Sequence, residues 1–441
     1  MSNVGIVCLD GDVPSQNAAI EAARTQSLRN GAQKVYGIND GMEGLLRANN
    51  VSYDVVAKDI TTRSIDLFHF QCILPTSTTR SSQIDDSQGH PYTPASAAKR
   101  IEETLSHIGN GIDKLILISG SGGIFDFREI AHNLNGIEWV FIMKSMNNDI
   151  GRKNPNPELP YSPLISIGYE VAATVGKYTA TLASPGAHNQ HRVVLFENLG
   201  RISGFPGAAT MASAADFVIL PEIFNYYDKL TVDQVLEEIV DIIYQRHSGM
   251  RATIGSLTEA VPTSQSEVDD LRKAYANLST NPNVKLKGKV HHYAENIKKM
   301  LDQRNYHVGK VTCADITYSC RWTYPTEIGI FLAQLYGKAA ANKLFSPSTQ
   351  DKQVTPFLTF DNLVSVNPDD WLEEVINMDG NPRLITHKDL GYLKADEAII
   401  QTVPREYIDQ KDKYKITETF LQVLHRLTIT RMAKYIPQPR I

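Results

Sequence analysis

Short runs of β-branched and apolar residues alternate with longer stretches of helical periodicity through the first half of the chain, the pattern of βαβ units around a parallel sheet. Strands are predicted at Val4 to Leu9, Lys34 to Ile38, Lys114 to Ile118 and Trp139 to Ile142, with helices at Asn17 to Arg29 and Ala95 to His107. Gly151 to Pro163 then brings four prolines with Asn and Gly, a composition that predicts a loop and a crossing between domains. A second α/β set follows, in which His191 to Phe196 and Asp216 to Glu222 read as strands and Val232 to Arg246 as a strongly amphipathic helix. Glu259 to Lys289 is polar and punctuated by Ser, Asn and Pro, which predicts a surface insertion with one helix of its own and no chemistry. The tail from Ser346 mixes hairpin-like pieces with a helix near Ile416 to Tyr435, and carries no motif that can be interpreted.

Composition changes this picture little. The 441 residues are 42% hydrophobic and 21% charged, enough for two or three domains with a large core. Net charge is −5 with Lys and Arg scattered, which argues against nucleic acid or an anionic membrane as a partner. Cys8, Cys72, Cys313 and Cys320 form no C-x-x-C pair and read as reduced thiols, and no run approaches the ~18 apolar residues of a membrane span. No charged and apolar leader precedes Val4, so a soluble, cytoplasmic protein is expected. His291 and His292 have neither zinc nor triad spacing, and no G-x-G-x-x-G with a downstream acidic residue marks a dinucleotide oxidoreductase.

The chemistry concentrates in a few motifs. Gly5-Ile-Val-Cys-Leu-Asp-Gly-Asp-Val-Pro-Ser-Gln-Asn-Ala-Ala-Ile20 resembles the opening βα unit of the phosphofructokinases, and Val35-Tyr-Gly-Ile-Asn-Asp-Gly-Met-Glu-Gly-Leu-Leu46 is similar to their next landmark. Lys144-Ser-Met-Asn-Asn-Asp149 resembles their Pro-Lys-Thr-Ile-Asp-Asn-Asp signature, whose first Asp is the base that deprotonates the sugar hydroxyl. Here that position is Asn147, and an amide accepts no proton at neutral pH, a loss worth roughly 10²–10⁴-fold in rate. The resemblance covers roughly positions 4 to 345.

On the donor side the resemblance implies phosphate binding by Asp10, Gly11, Gly120, Ser121 and Gly122. Asp10 replaces a glycine that lets backbone approach phosphate, adding repulsion on the order of 1 kcal/mol at 4 Å in water. Asp10 could instead fold away and pair with a nearby cation. Ser121 stands where ATP-dependent members carry a metal-binding Asp, so Mg²⁺ is expected to bind weakly, with Asp149 as its remaining carboxylate. The family's Gly-rich loop is degraded to Cys72 to Arg80, with Arg80 at the place of the arginine that contacts the transferred phosphoryl group. Lys144 matches a lysine of pyrophosphate-dependent members and Gly122 the small residue of ATP users, so the donor signals disagree, and pyrophosphate or a pyrophosphate-containing ligand is one cofactor the resemblance allows.

On the acceptor side the resemblance gives Arg192, which reaches the sugar 6-phosphate across a subunit boundary, and Glu222, which bonds sugar hydroxyls. Leu199, Gly200 and Arg201 resemble the Met-Gly-Arg sugar loop, and Asp315-Ile-Thr-Tyr318-Ser-Cys-Arg321 resembles a segment whose Tyr and Arg hold the 6-phosphate. The implied fold is α/β, two doubly wound Rossmann-like domains with a cleft between them. Its parts are a donor-like domain over 1–160 completed by 322–441, and a sugar-phosphate domain over 161–321 with the insertion 259–289. A homodimer or homotetramer is implied.

The expected function is a phosphosugar-binding protein in which fructose 6-phosphate kinase activity is slow or absent. Two alternatives stand beside it. One is a repurposed transferase using a donor such as phosphoribosyl pyrophosphate. The other is an active pyrophosphate-dependent 6-phosphofructokinase with Asp149 or Asp12 as base.

Overall fold

The structure, a computed structural model, describes residues 2–428 apart from 48–50, 70, 87, 153–161, 250, 279–283, 285, 287, 307, 349–351, 361 and 363–389. β1 (Asn3–Cys8), β2 (Lys34–Ile38), β3 (Ala57–Asp59), β4 (Lys114–Ser119) and β5 (Glu138–Met143) form a sheet of order β3-β2-β1-β4-β5. All neighbours are parallel except the β3 edge, and Ile6 at the centre pairs with Gly37 and Ile116. Every residue of β1 is buried, as helices on both faces of a parallel sheet require. The Pro94–His107 helix shows how the flanking helices form: Thr93 caps it by accepting from Ser96 N, proline opens the first turn, and Ala97, Ala98, Ile101 and Leu105 face the core.

A second, four-stranded sheet follows β6 (Ile150–Arg152). It comprises β7 (Val193–Asn198), β8 (Phe217–Ile219), β9 (Thr253–Thr258) and β10 (Val311–Asp315), all parallel in the order β10-β7-β9-β8. The amphipathic helix here spans Val232–Ser248, started by a reciprocal Thr231–Gln234 cap. Strand β9 escapes the sequence pattern because Thr253, Gly255, Ser256 and Thr258 break its apolar run, although all six residues are buried. Likewise only Phe217–Ile219 of the Asp216 to Glu222 stretch is strand, and His191 and Arg192 precede β7.

The insertion is corrected at its ends. It contains the expected helix, Gln265–Ala276, but Glu259 and Lys289 are buried rather than superficial, because Val268, Leu271 and Val290 pack inward and Lys289 pairs with Glu267 at 2.6 Å. The prolines at 155, 157 and 160 lie outside the described residues, as does the end of the expected tail helix at 429–435. The described part of that helix is Glu418–Leu427.

The tail touches both sheets. β11 (Val354–Phe357) and β12 (Gly391–Lys394) form an antiparallel ladder, and β13 (Ala398–Ile400) pairs antiparallel with β6. Phe420 stacks on Phe360 and meets Phe205 edge-on, tying the last helix to the second sheet's core. Among the described residues no helix is long and apolar enough to cross a membrane.

Candidate active site

A cavity of about 700 Å³ opens where the carboxyl ends of β1, β4, β5 and β10 converge. Its wall includes Asp10, Gly11, Gly120, Ser121, Gly122, Arg80, Lys144, Asn147, Asp149, Arg201, Tyr318 and Arg321, twelve of the residues singled out from sequence. Four cationic side chains, Arg80, Lys144, Arg201 and Arg321, face three carboxylates, Asp10, Asp12 and Asp149.

The floor of the cavity beside β1 and β4 is filled from within. Asp10 sits at φ 64°, in the left-handed region, and its Oδ2 accepts from Gly123 N at 2.7 Å in the first turn of the Ser121–Ala131 helix. A helix N-terminus favours an anion, and here the chain supplies its own. The other Asp10 oxygen pairs with Arg80 at 3.1 Å, and Arg80 takes the space any side chain at Gly122 would need. Asp10 is thus paired with a cation.

Lys144 is almost wholly buried, yet its Nζ donates to Gly11 O at 2.7 Å, Gln16 Oε1 at 3.0 Å and, more weakly, Asp10 O at 3.4 Å. Its three donors hold the loop after β1. Gln16 Nε2 donates in turn to Cys72 Sγ, whose own thiol lies 3.9 Å from Cys8; all four cysteines are free. The loop leading to Arg80 is braced by hydroxyl bonds from Thr76 to Asp12, from Ser77 and Thr79 to Glu43, and from Ser81 to Asp126.

Asn147 lines the cavity, its Oδ1 buried with no hydrogen-bond donor among the described residues. Beside it, Asp149 accepts from the hydroxyls of Ser121, at 3.0 Å, and Ser145. Among the described residues no three His, Cys, Asp or Glu side chains cluster to hold a metal. Mg²⁺ is usually held by one or two carboxylates together with waters and substrate phosphates; Asp12 and Asp149 on the cavity wall offer such carboxylates, each Asp149 oxygen already accepting one hydroxyl.

On the side of the second sheet, Gly200 at φ 152° and Arg201 at φ 49° form the turn after β7, both held through backbone N–H groups on Glu259 Oε1. Burial pushes the Glu259 carboxyl up from its ordinary range. Leu199 is buried beneath this turn, and neither it nor Gly200 reaches the cavity wall. Arg321 donates to Asp12 O at 2.8 Å, joining the second sheet's loop to the first sheet's.

Two residues stand apart. Glu222 is buried outside the cavity, where its Oε1 accepts from Gly204 N at 2.7 Å and Val403 N at 2.8 Å, and burial raises its pKa to about 7. Arg192 precedes the first residue of β7, at the far end of that strand from the cavity. Sequence reasoning missed Gln16, Glu43 and Asp126, which position the loops, and Trp322, which lines the cavity and is 72% exposed. The signal for Trp322 was its place directly after Arg321, between Tyr318 and Tyr324.

Residues 3–344 match the family model described as Phosphofructokinase. The ATP-dependent 6-phosphofructokinase 2 of Clostridium perfringens is 24% identical over 278 residues, covering 61% of this chain and 67% of the relative. The ATP-dependent 6-phosphofructokinase of Lactobacillus delbrueckii subsp. bulgaricus is 26% identical over 289 residues, 64% of this chain and 77% of its own. In fold, the pyrophosphate-dependent phosphofructokinase from Nitrosospira multiformis superposes with a TM-score of 0.64 at 14% identity, over 97% of this chain and 92% of that one.

Proposed function

The chain belongs to the phosphofructokinase family, and from that premise we propose that it binds a phosphorylated sugar in its cleft and phosphorylates fructose 6-phosphate slowly or not at all. The observation that carries this is the donor floor: Asp10 occupies the N-terminus of the Ser121–Ala131 helix and holds Arg80 there. A donor phosphate must displace that pair, and Asn147 beside it takes no proton from a sugar hydroxyl. Arg201, Tyr318 and Arg321 hold the sugar phosphate, with Arg192 contributed by a second copy in a homodimer or homotetramer.

The test is a coupled assay for fructose 1,6-bisphosphate with Mg²⁺ and either pyrophosphate or ATP, beside calorimetric binding of fructose 6-phosphate. Binding with negligible turnover is expected, and robust turnover would overturn the reading. Restoring both positions, Asn147→Asp with Asp10→Gly, is expected to raise turnover by roughly 10²-fold or more; Asn147→Asp alone gains less, because the floor stays filled.

A second reading, an active pyrophosphate-dependent phosphofructokinase, draws support from Asp12 and Asp149, which line the cavity and could serve as base. Under it Asn147→Asp changes little and either Asp149→Asn or Asp12→Asn abolishes turnover.

A further inference from the structure

The segment that leads to Arg80 starts beside the central strand of the first sheet, thiol to thiol. Cys8 is the last residue of β1, fully buried, and its register partner is Ile118 of β4. Cys72 aims its Sγ at Cys8 Sγ from 3.9 Å, and both thiols are free. Bonded sulfurs stand about 2.0 Å apart, so roughly 2 Å of approach would close a disulfide. Cys8 is fixed within the sheet, whereas Cys72 lies in no helix or strand, so the movement falls to Cys72. Gln16 joins the pair to the cavity wall, donating to Cys72 Sγ at 3.1 Å and accepting from Lys144 at 3.0 Å.

The two sulfurs differ in character. Burial opposes ionisation of Cys8, but the hydrogen bond from the Cys72 thiol, the Lys144 ammonium and Gln16 outweigh it and hold the Cys8 thiol below its ordinary pKa. Burial pushes the Cys72 thiol well up, and its bond to Cys8 raises it further. Burial also pushes up Cys313 and Cys320, the latter to about 12. A thiolate facing a thiol is the arrangement of a nucleophilic and a resolving cysteine. Cys72 keeps 8% of its surface and Gln71 before it lines the cavity, which gives a small oxidant a way in from that side.

We propose that Cys8 and Cys72 form a redox modification site, a dithiol that hydrogen peroxide converts to an intramolecular disulfide tying the Arg80 segment to β1. The Cys8 thiolate attacks one peroxide oxygen, the O–O bond breaks, and the sulfur becomes a sulfenic acid as hydroxide leaves. That hydroxide takes the Cys72 proton and departs as water. The Cys72 thiolate then attacks the Cys8 sulfur; the S–S bond forms, the S–O bond breaks, and the second hydroxide takes a proton from solvent. Two electrons pass from the sulfur pair to one peroxide. The site works the same way whatever ligand the cavity takes.

The experiment treats the full chain with hydrogen peroxide, removes the excess with catalase, unfolds the protein in an alkylating agent and maps its peptides by mass spectrometry. A linked Cys8–Cys72 peptide is expected, with Cys313 and Cys320 alkylated, so that free thiols fall from four to two and dithiothreitol restores them. Because the bond joins residues 64 apart, oxidised protein should unfold in urea at a midpoint roughly 0.5 M above that of reduced protein. Cys8→Ala and Cys72→Ala should each abolish that shift. Four alkylated thiols after peroxide, oxidation confined to Cys313, or a disulfide between copies overturns the proposal. Should either alanine variant fail to fold, the linked peptide from the unsubstituted chain decides alone.

Discussion

Asp10 adopts a left-handed backbone that glycine takes without cost, and it spends its carboxylate on Gly123 N and Arg80. Asp10→Gly removes a charge worth about 1–4 kcal/mol against a phosphate 4 Å away, so calorimetry should record inorganic pyrophosphate binding at least about 5-fold tighter. Unchanged affinity would show that the carboxylate obstructs nothing. Glu222 yields a pH prediction. Burial raises its pKa to about 7 from an ordinary 4.5, so the folded state holds a proton that the unfolded chain releases. The stability this gives is complete below pH 4.5 and is lost as pH rises through 7. Glu222→Gln keeps an oxygen for Gly204 N and Val403 N and carries no charge. Chemical denaturation at pH 8 should find it more stable by on the order of 3 kcal/mol, with a shallower pH slope. Glu170, also fully buried with a pKa raised to about 7, contributes to the slope that remains, as do Glu197, Asp216 and Glu259, which burial also pushes up. At this scale the cavity side chains were legible because motif spacing marks them, whereas Gln16 and Asp126 were not, since a bracing residue shows only in what it touches.

Among the elements, the Gln16–Arg29 helix lies against the Glu327–Leu344 helix through small residues. A β-carbon on Gly337 would stand 2.6 Å from Ala19 O and 3.0 Å from Ala23 N. Gly337→Ala should therefore destabilise the protein by about 1–3 kcal/mol in urea unfolding, even though alanine favours a helix by about 1 kcal/mol. A stabilised variant would mean that the helices separate freely. Such contact between backbones leaves a faint trace in sequence, one glycine in an alanine-rich run. The buried parallel strands were legible as apolar blocks, to within a residue or two at their ends. β9 was not, because its buried Thr and Ser hydroxyls mimic a loop composition, and β6 and β13 are too short to show any period.

For the whole molecule, Arg192 and the Arg321 cavity lie at opposite ends of the second sheet's strands, so one copy cannot bring them together. If a second copy supplies Arg192, Arg192→Ala and Arg321→Ala proteins refolded as a mixture should regain phosphosugar binding that neither shows alone. A mixture no better than its components would break the shared-site assembly. The two-sheet plan could be read from the order of motifs, but the tail's role could not, because the contacts that tie it to the two sheets are distant in sequence. Gln401 alone donates to Asn148 O and Leu164 O, accepts from Leu164 N, and bonds Asp149 O through its backbone N–H. Gln401 and Asn148 are 253 residues apart. At 5–20 residues per second, a ribosome takes roughly 13 to 50 seconds to make that stretch. Both sheets can form in that interval, while the stretch around Asp149 waits for the strand that clamps it. Synthesis order therefore makes the loop around Asp149 the last part of the cleft to set, and a nascent chain stalled before Gln401 would expose it to proteases that the finished protein resists.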